Sequence, residues 1–244
     1  MEMIVLAGGK GTRLQRVVSD RPKPLAEVAG RPFVEWLLLA LRVQGVERVV
    51  LATGYMGEMV EASFGDGARL DMEVVYARET VPLGTGGAAR HALGHVTTDH
   101  ALVLNGDSFC PFDIGRLLEA HERAGAAATL WLVPMDDCRR YGAVDVADDG
   151  RVLSFQEKSP DLGAGLINAG VYLFDRRALE AIPADRPVSL ENDTFPSLIG
   201  RGLYATVGEG PFLDIGTPES YASAERFFAD NKVLQQMVMD DSGR

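Results

Sequence analysis

Cysteine is scarce. The two in 244 residues, Cys110 and Cys138, cannot build a disulfide framework and do not stand at a metal-ligand spacing, which fits a reducing compartment. Long apolar runs are also missing: the densest, Phe33 to Leu41, is interrupted by Glu35, and no basic segment leads into an apolar stretch at the start of the chain. A soluble cytoplasmic protein with no membrane association is expected. Positive charge is in deficit, with 24 Lys and Arg against 35 Asp and Glu for a net charge of −11. Without basic tracts, that balance argues against nucleic acid as a partner, because phosphate backbones are held by clustered cations. Histidine is rare as well; His91 and His95 share a helical spacing, but only His100 stands nearby as a third ligand, so metal binding there is not expected.

What the chain does have is strand-length apolar runs alternating with helical patterns. Met3 to Ala7, Val49 to Ala52, Val74 to Ala77, Ala101 to Leu104 and Thr129 to Val133 read as strands with helices between them, the rhythm of a mostly parallel sheet. A buried helix is expected from Phe33 to Gln44, starting after Pro32 and stopping at Gly45, and another from Gly86 to Leu93. After Pro134 the rhythm changes. Val144–Val146 and Val152–Phe155 flank Asp148-Asp149-Gly150, a hairpin signal, followed by a strand from Asn168 to Phe174 and a short one at Phe212 to Ile215. The last helix, Pro218 to Phe228, carries an apolar stripe at Tyr221, Ala224, Phe227 and Phe228. The expected fold is α/β: a Rossmann-like, mixed but mostly parallel sheet flanked by helices, with an inserted antiparallel hairpin. With neither an internal repeat nor a linker, residues 1–230 are expected to form a single domain and 231–244 a tail.

The most informative segment is the first. Gly8-Gly9-Lys10-Gly11-Thr12-Arg13 follows the strand ending in Leu6-Ala7, so main-chain N–H groups lie unshielded and can hold anionic oxygens. Arg13 adds a planar fork suited to phosphate, and Lys23, between Pro22 and Pro24, a point charge on a stiffened tether. Lys10, Arg13, Arg16, Arg21 and Lys23 outweigh Glu2 and Asp20 in this stretch, a local reversal of charge that an acidic protein needs in order to attract a nucleotide. Leu14 stands where a dinucleotide fingerprint would place its third glycine, and no Gly-Lys-Ser/Thr occurs, so two other phosphate motifs are excluded. Asp107, in Asn105-Gly106-Asp107, directly follows a strand, at the sheet edge where open α/β proteins bind ligands. Asp214 lies between Leu213 and Ile215, where an unpaired carboxylate is costly, and Mg²⁺ is the natural partner if phosphate oxygens complete the octahedron.

These motifs, together with Pro22-Lys23-Pro24-Leu25, Phe155-Gln156-Glu157-Lys158, Asn168-Ala169-Gly170 and Leu213-Asp214-Ile215-Gly216, resemble in order and spacing the sugar-1-phosphate nucleotidylyltransferases, from Met3 to about Phe228. Pro82-Leu83-Gly84-Thr85-Gly86-Gly87, Arg140-Tyr141-Gly142 and Gly165-Leu166-Ile167-Asn168 look most like the heptose-1-phosphate guanylyltransferases. The resemblance implies condensation of a nucleoside triphosphate with a sugar 1-phosphate, releasing pyrophosphate. It implies that Asp107 and Asp214 hold Mg²⁺, that Arg13 neutralises pyrophosphate and that Lys23 holds the reacting phosphates together. By the same resemblance, Leu6, Ala7 and the turn Gly8, Gly9, Gly11, Thr12 hold base and phosphates, with Thr85 and Gly87 completing the base pocket. Glu157 and Asn168 would bond sugar hydroxyls, Lys158 the sugar phosphate, and Gly142 would admit the sugar. The expected product is a GDP-sugar, with GDP-heptose favoured. Mannose 1-phosphate with GTP, glucose 1-phosphate with dTTP and an amino-sugar phosphate with UTP are alternatives, as is a catalytically silent nucleotide-sugar sensor. No side chain announces recognition of guanine, and loops around Asn168 and Glu191 would decide the sugar. No hexapeptide-repeat extension follows the last helix, so no second activity is expected. An exposed apolar helix face would suit a homodimer.

Overall fold

The computed structural model describes residues 1–156 and 158–230. Seven strands form the central sheet, in the order Leu203–Val207, Ala128–Met135, Gly165–Asp175, His100–Asn105, Glu2–Ala7, Arg48–Thr53, Glu73–Arg78. Gly165–Asp175 alone runs antiparallel to its neighbours in this sheet. The period of two along each strand sorts side chains onto two faces: Met3, Val5, Leu102 and Leu104 enter one core, and Ile4, Ala101 and Val103 the other. The sheet mixes directions and is mostly parallel, with helices on its faces, and the hairpin of Ala143–Val146 with Val152–Gln156 stands as a separate two-stranded ribbon.

Helix Phe33–Val43 starts after Pro32 and ends before Gly45, whose φ is +80°. The charge that interrupts its apolar run, Glu35, is buried and held by Arg31 at 2.9 Å and Arg69 at 2.6 Å. A buried carboxylate is tolerable only when paired in this way. Helix Ile114–Ala124 is capped by Asp113, whose carboxylate accepts from the Arg116 N–H at 2.9 Å, and stops at Gly125. The last helix, Pro218–Asp230, buries Ala224 and Phe228, and Phe228 packs 4.6 Å from the Trp36 ring.

Strand and helix ends depart from the sequence reading by a residue or a few, most at Gly165–Asp175, which begins earlier than Asn168. The edge strand Leu203–Val207 was not anticipated: its central residues are half-buried and lack the alternation that marks a strand. The tail, 231–244, lies outside the described residues. Among those described, no helix is long and apolar enough to cross a membrane.

Candidate active site

Strand order reverses between Glu2–Ala7 and His100–Asn105. From the first strand the chain moves outward to Arg48–Thr53 and Glu73–Arg78, then crosses to the other side. The loops leaving these two strands therefore diverge and leave a crevice at the carboxyl edge. Gly8–Lys10 leaves one and Gly106-Asp107 the other. Gly106 donates its N–H to the Leu6 carbonyl at 2.9 Å, and a Cβ there would stand 2.5 Å from the same oxygen, so only glycine lets the two strand ends close up.

Asp214 reaches the crevice by a different route. The short strand Leu213–Asp214 pairs with Ser108–Phe109, and Ile215 donates its N–H to the Asp107 carbonyl at 3.0 Å. This pairing brings two aspartates distant in sequence side by side. Lys23, only 11% exposed, donates to Asp107 Oδ2 at 2.6 Å. A side chain at Gly216 would collide with Asp214 Oδ1 and stand 3.5 Å from Lys23 Nζ, so Lys23, Asp107 and Asp214 converge on one spot. Gly11, at φ +58°, packs onto the Lys23 stem, where a Cβ would lie 2.9 Å from Lys23 Cβ.

Two cavities meet there. The first, about 620 Å³, is lined by Leu6, Ala7, Gly8, Gly9, Lys10 and, on the facing wall, Glu79, Gly84 and Thr85. The second, about 810 Å³, is lined by Arg13, Tyr141, Lys158, Asn168 and Asp214. Lys23, Asn105, Asp107 and Glu191 border both. The expected residues are thus mostly gathered, with differences. Arg13 borders the second cavity rather than the first. Gly87 lines a separate cleft behind helix Gly84–Ala92, together with Arg90 and Arg176. Gly11, Gly142 and the exposed Thr12 border neither cavity. Gly142 sits at φ +80° in the turn after Tyr141, its N–H bonded to the Cys138 carbonyl at 3.0 Å. Glu157 lies outside the described residues.

Asn168 borders the second cavity while its amide works within the protein: Nδ2 donates to the Tyr172 hydroxyl at 2.8 Å and Oδ1 accepts from the Gly170 N–H at 2.9 Å. Asn105 Nδ2 donates to the same hydroxyl at 3.3 Å. Burial raises the Tyr172 phenol well above its ordinary pKa, so this hydroxyl stays protonated as the hub of the network. Burial, with Asp214 beside it, likewise raises the Tyr141 phenol.

Glu79 escaped the sequence reading. It directly follows strand Glu73–Arg78 at the same carboxyl edge as Gly8 and Asp107, and that position was the available signal. Its Oε2 accepts the Leu83 N–H at 2.8 Å, and Oε1 lies 3.0 Å from where a side chain at Gly8 would begin. Burial raises its pKa above the usual carboxylate value, partly offset by the Leu83 bond and His91.

Among the described residues no group of three or more His, Cys, Asp or Glu forms a metal cage. The donor set of Asp107 and Asp214 nevertheless fits Mg²⁺, which binds through one or two carboxylates and takes its other oxygens from water and substrate phosphates. Asp107 is 43% exposed at the junction, leaving its carboxylate accessible from both cavities.

Residues 2–231 match the family described as nucleotidyl transferase. The mannose-1-phosphate guanylyltransferase of Mycobacterium tuberculosis is 40% identical over 91% of this chain, which spans 62% of that protein's length. The D-glycero-alpha-D-manno-heptose 1-phosphate guanylyltransferase of Aneurinibacillus thermoaerophilus is 36% identical over 93% of this chain and 97% of its own length. Among solved structures, HddC from Yersinia pseudotuberculosis complexed with GMP-PN superposes with a TM-score of 0.82 at 34% identity, covering 93% of this chain and 99% of that one.

Proposed function

The chain belongs to the nucleotidyl transferase family, and from that premise we propose that it transfers GMP from GTP to a sugar 1-phosphate, D-glycero-α-D-manno-heptose 1-phosphate, releasing pyrophosphate and forming GDP-heptose. The observation that carries the reading is the convergence of Lys23, Asp107 and Asp214 where two cavities meet, one for each substrate. A sugar phosphate whose second pKa is about 6 is already largely dianionic near neutral pH, so the reaction needs no general base. What it needs is alignment of two anions and neutralisation of their charge.

The first cavity takes the nucleotide. Main-chain groups of Gly8 and Gly9 face base and phosphates, and Lys10 lies along the same wall. Glu79 supports guanine, since a carboxylate is acceptor-only and suits the paired N1–H and 2-amino donors of that base. Adenine, which presents an acceptor at N1, would leave it unmatched. The HddC neighbour, crystallised with GMP-PN, is in keeping with this choice. Lys23 draws the α-phosphate and the attacking phosphate together, with Asp107 fixing its ammonium. Asp107 and Asp214 would hold Mg²⁺, which when bound adds positive charge to the phosphate oxygens. Arg13 and Lys158 place cationic groups around the second cavity, where the acceptor's phosphate must lie.

Heptose is supported by the heptose 1-phosphate guanylyltransferases of A. thermoaerophilus and Campylobacter jejuni, each 36% identical to this chain. The M. tuberculosis relative, at higher identity, supports mannose 1-phosphate as the second reading. Pyrophosphate release with Mg²⁺, crossing GTP, ATP, UTP and dTTP against heptose, mannose and glucose 1-phosphates, tests both. Turnover with GTP and heptose is the expected result; turnover with GTP and mannose alone replaces the sugar. No turnover with any pair removes the catalytic reading and leaves the sensor.

A further inference from the structure

Glu191 and Asp107 are the acidic residues common to both cavities, but Glu191 has no cation beside it: among the described residues it forms no ion pair. It sits on a single π-helical turn, Leu190–Thr194, an irregular geometry that recurs at functional sites. The turn is pinned to helix Gly84–Ala92, since Gly86 donates its N–H to the Val188 carbonyl at 2.8 Å and Leu190 donates its N–H to Thr85 Oγ1 at 2.8 Å. Thr85 in turn donates its hydroxyl proton to Glu191 Oε2 at 2.9 Å, and Ser189 Oγ donates to the same oxygen at 3.0 Å. Thr85 and Ser189 thus spend their single protons on Oε2. Among the described residues no hydrogen bond ends on Oε1.

A carboxylate fixed through one oxygen, with the other unspent at a half-exposed position, is built to accept hydrogen bonds from something entering the cavity. Phosphate is excluded as the partner because it offers no donor and carries like charge. Neutral donors remain, the hydroxyls of a sugar or the N–H groups of a base. Asn192 and Pro196, which flank Glu191 on its own segment, line the second cavity and not the first. We infer that Glu191 Oε1 accepts hydrogen bonds from ring hydroxyls of the acceptor sugar, making Glu191 a specificity-determining residue for a polyol 1-phosphate. This rests on the transfer reaction proposed above.

The test uses the full-length protein with GTP, Mg²⁺, the preferred sugar 1-phosphate and its monodeoxy analogues. The wild type should lose roughly 10- to 100-fold in kcat/KM on one or two of the analogues, the usual cost of removing a bond to a charged acceptor. Glu191→Ala should lose a similar factor on the parent sugar, chiefly in its KM, and should no longer distinguish those analogues from it, with the KM for GTP unmoved. Thr85→Val, which frees Oε2 from one anchor, should shift the same parameter by a smaller factor and serves if Glu191→Ala fails to fold. A raised KM for GTP with that for the sugar unchanged would move Glu191 to the ribose and overturn the inference. So would equal discrimination among the analogues by wild type and variant. Absence of turnover by the wild type with every pair overturns the transfer reading itself, and this inference with it.

Discussion

In the first cavity glycines recur along the wall, at Gly8, Gly9, Gly54, Gly84 and Gly106, and bring main chain to the surface beside side chains such as Lys10 and Glu79. In the second it is side chains, Arg13, Tyr141, Lys158, Asn168 and Asp214, drawn from five segments. Triphosphates and bases are common to many enzymes and can be held by N–H groups at strand and helix ends. A sugar is distinguished by the placement of its hydroxyls, which calls for side chains at chosen positions. The contrast predicts that substitutions at the junction stop the reaction, whereas those in either cavity divide cleanly between the two substrates.

The largest effect belongs to the junction. Asp107→Ala should lower kcat by about 1000-fold and Lys23→Ala by at least about 100-fold, as expected when preorganised charge is removed from a transition state. Circular dichroism should show both variants folded, because neither side chain belongs to a hydrophobic core. Near-normal turnover by Asp107→Ala would remove the metal role, and a rise in KM alone for Lys23→Ala would reduce it to ground-state binding.

The second effect lies at the other end of the sheet and must be separated from both cavities. His121, on helix Ile114–Ala124, is buried; its Nδ1 bonds Thr129 Oγ1 at 2.9 Å, and its ring meets His100 at 5.1 Å. Burial, reinforced by His100, lowers its pKa from 6.5 to about 4. Above pH 6.5 the ring is neutral in both folded and unfolded chains. As pH falls toward 4 only the unfolded chain gains the proton, so stability is lost through that window, by up to about 3 kcal/mol. The urea midpoint should fall over this range in the wild type and more shallowly in His121→Leu, and activity should be compared only where the chain remains folded.

How far the same contrast governs legibility is seen residue by residue. Gly8, Gly9 and Asp107 could be read because they stand just after a contiguous strand-to-loop signal, and Lys23 because it stands between two prolines, so their places at the crevice are written locally. Glu79 could not, although it closes the same cavity: it reads as an ordinary charge until the strand order sets it against Gly8. Gly87 was misjudged because a glycine cluster at a helix start does not say which way each residue faces, and the Val188 segment that covers it comes from far along the chain. In the second cavity the residue types were legible but their occupations were not; the Asn168 amide is committed to Tyr172 and Gly170, partners visible only once the strand is paired. The sheet itself was easily read from its alternating runs, apart from Leu203–Val207, whose half-buried edge lacks the alternation.

A substitution in the turn after the first strand should act on the junction at second hand. Gly11→Ala keeps every charge, yet its Cβ would press on the Lys23 stem at 2.9 Å from a backbone at φ +58°. The loop or the lysine must move, and roughly a tenfold loss of kcat is expected, with about 1 kcal/mol of stability lost to the left-handed backbone. Unchanged kcat beside a lowered melting temperature would show that the packing against Lys23 is structural only.

The smallest effect should touch one substrate alone. Glu79→Gln keeps the shape of the side chain but replaces one acceptor with an amide that can also donate, so the KM for GTP should rise by about tenfold, the scale of a bond to a charged group. The KM for the sugar phosphate should stay put. Because burial raises the Glu79 pKa, its ionised form, the acceptor that guanine needs, is lost earlier on acidification than for an exposed glutamate. The wild-type KM for GTP should therefore climb as the pH drops toward that raised value, while the variant, having nothing to titrate there, should follow a flatter curve. Protonation of His121 on acidification changes the folded fraction, not the affinity of folded molecules. Measured on folded protein, a pH dependence of the GTP KM that survives in Glu79→Gln would take guanine recognition away from this carboxylate and leave it to the main chain of the glycine-lined wall.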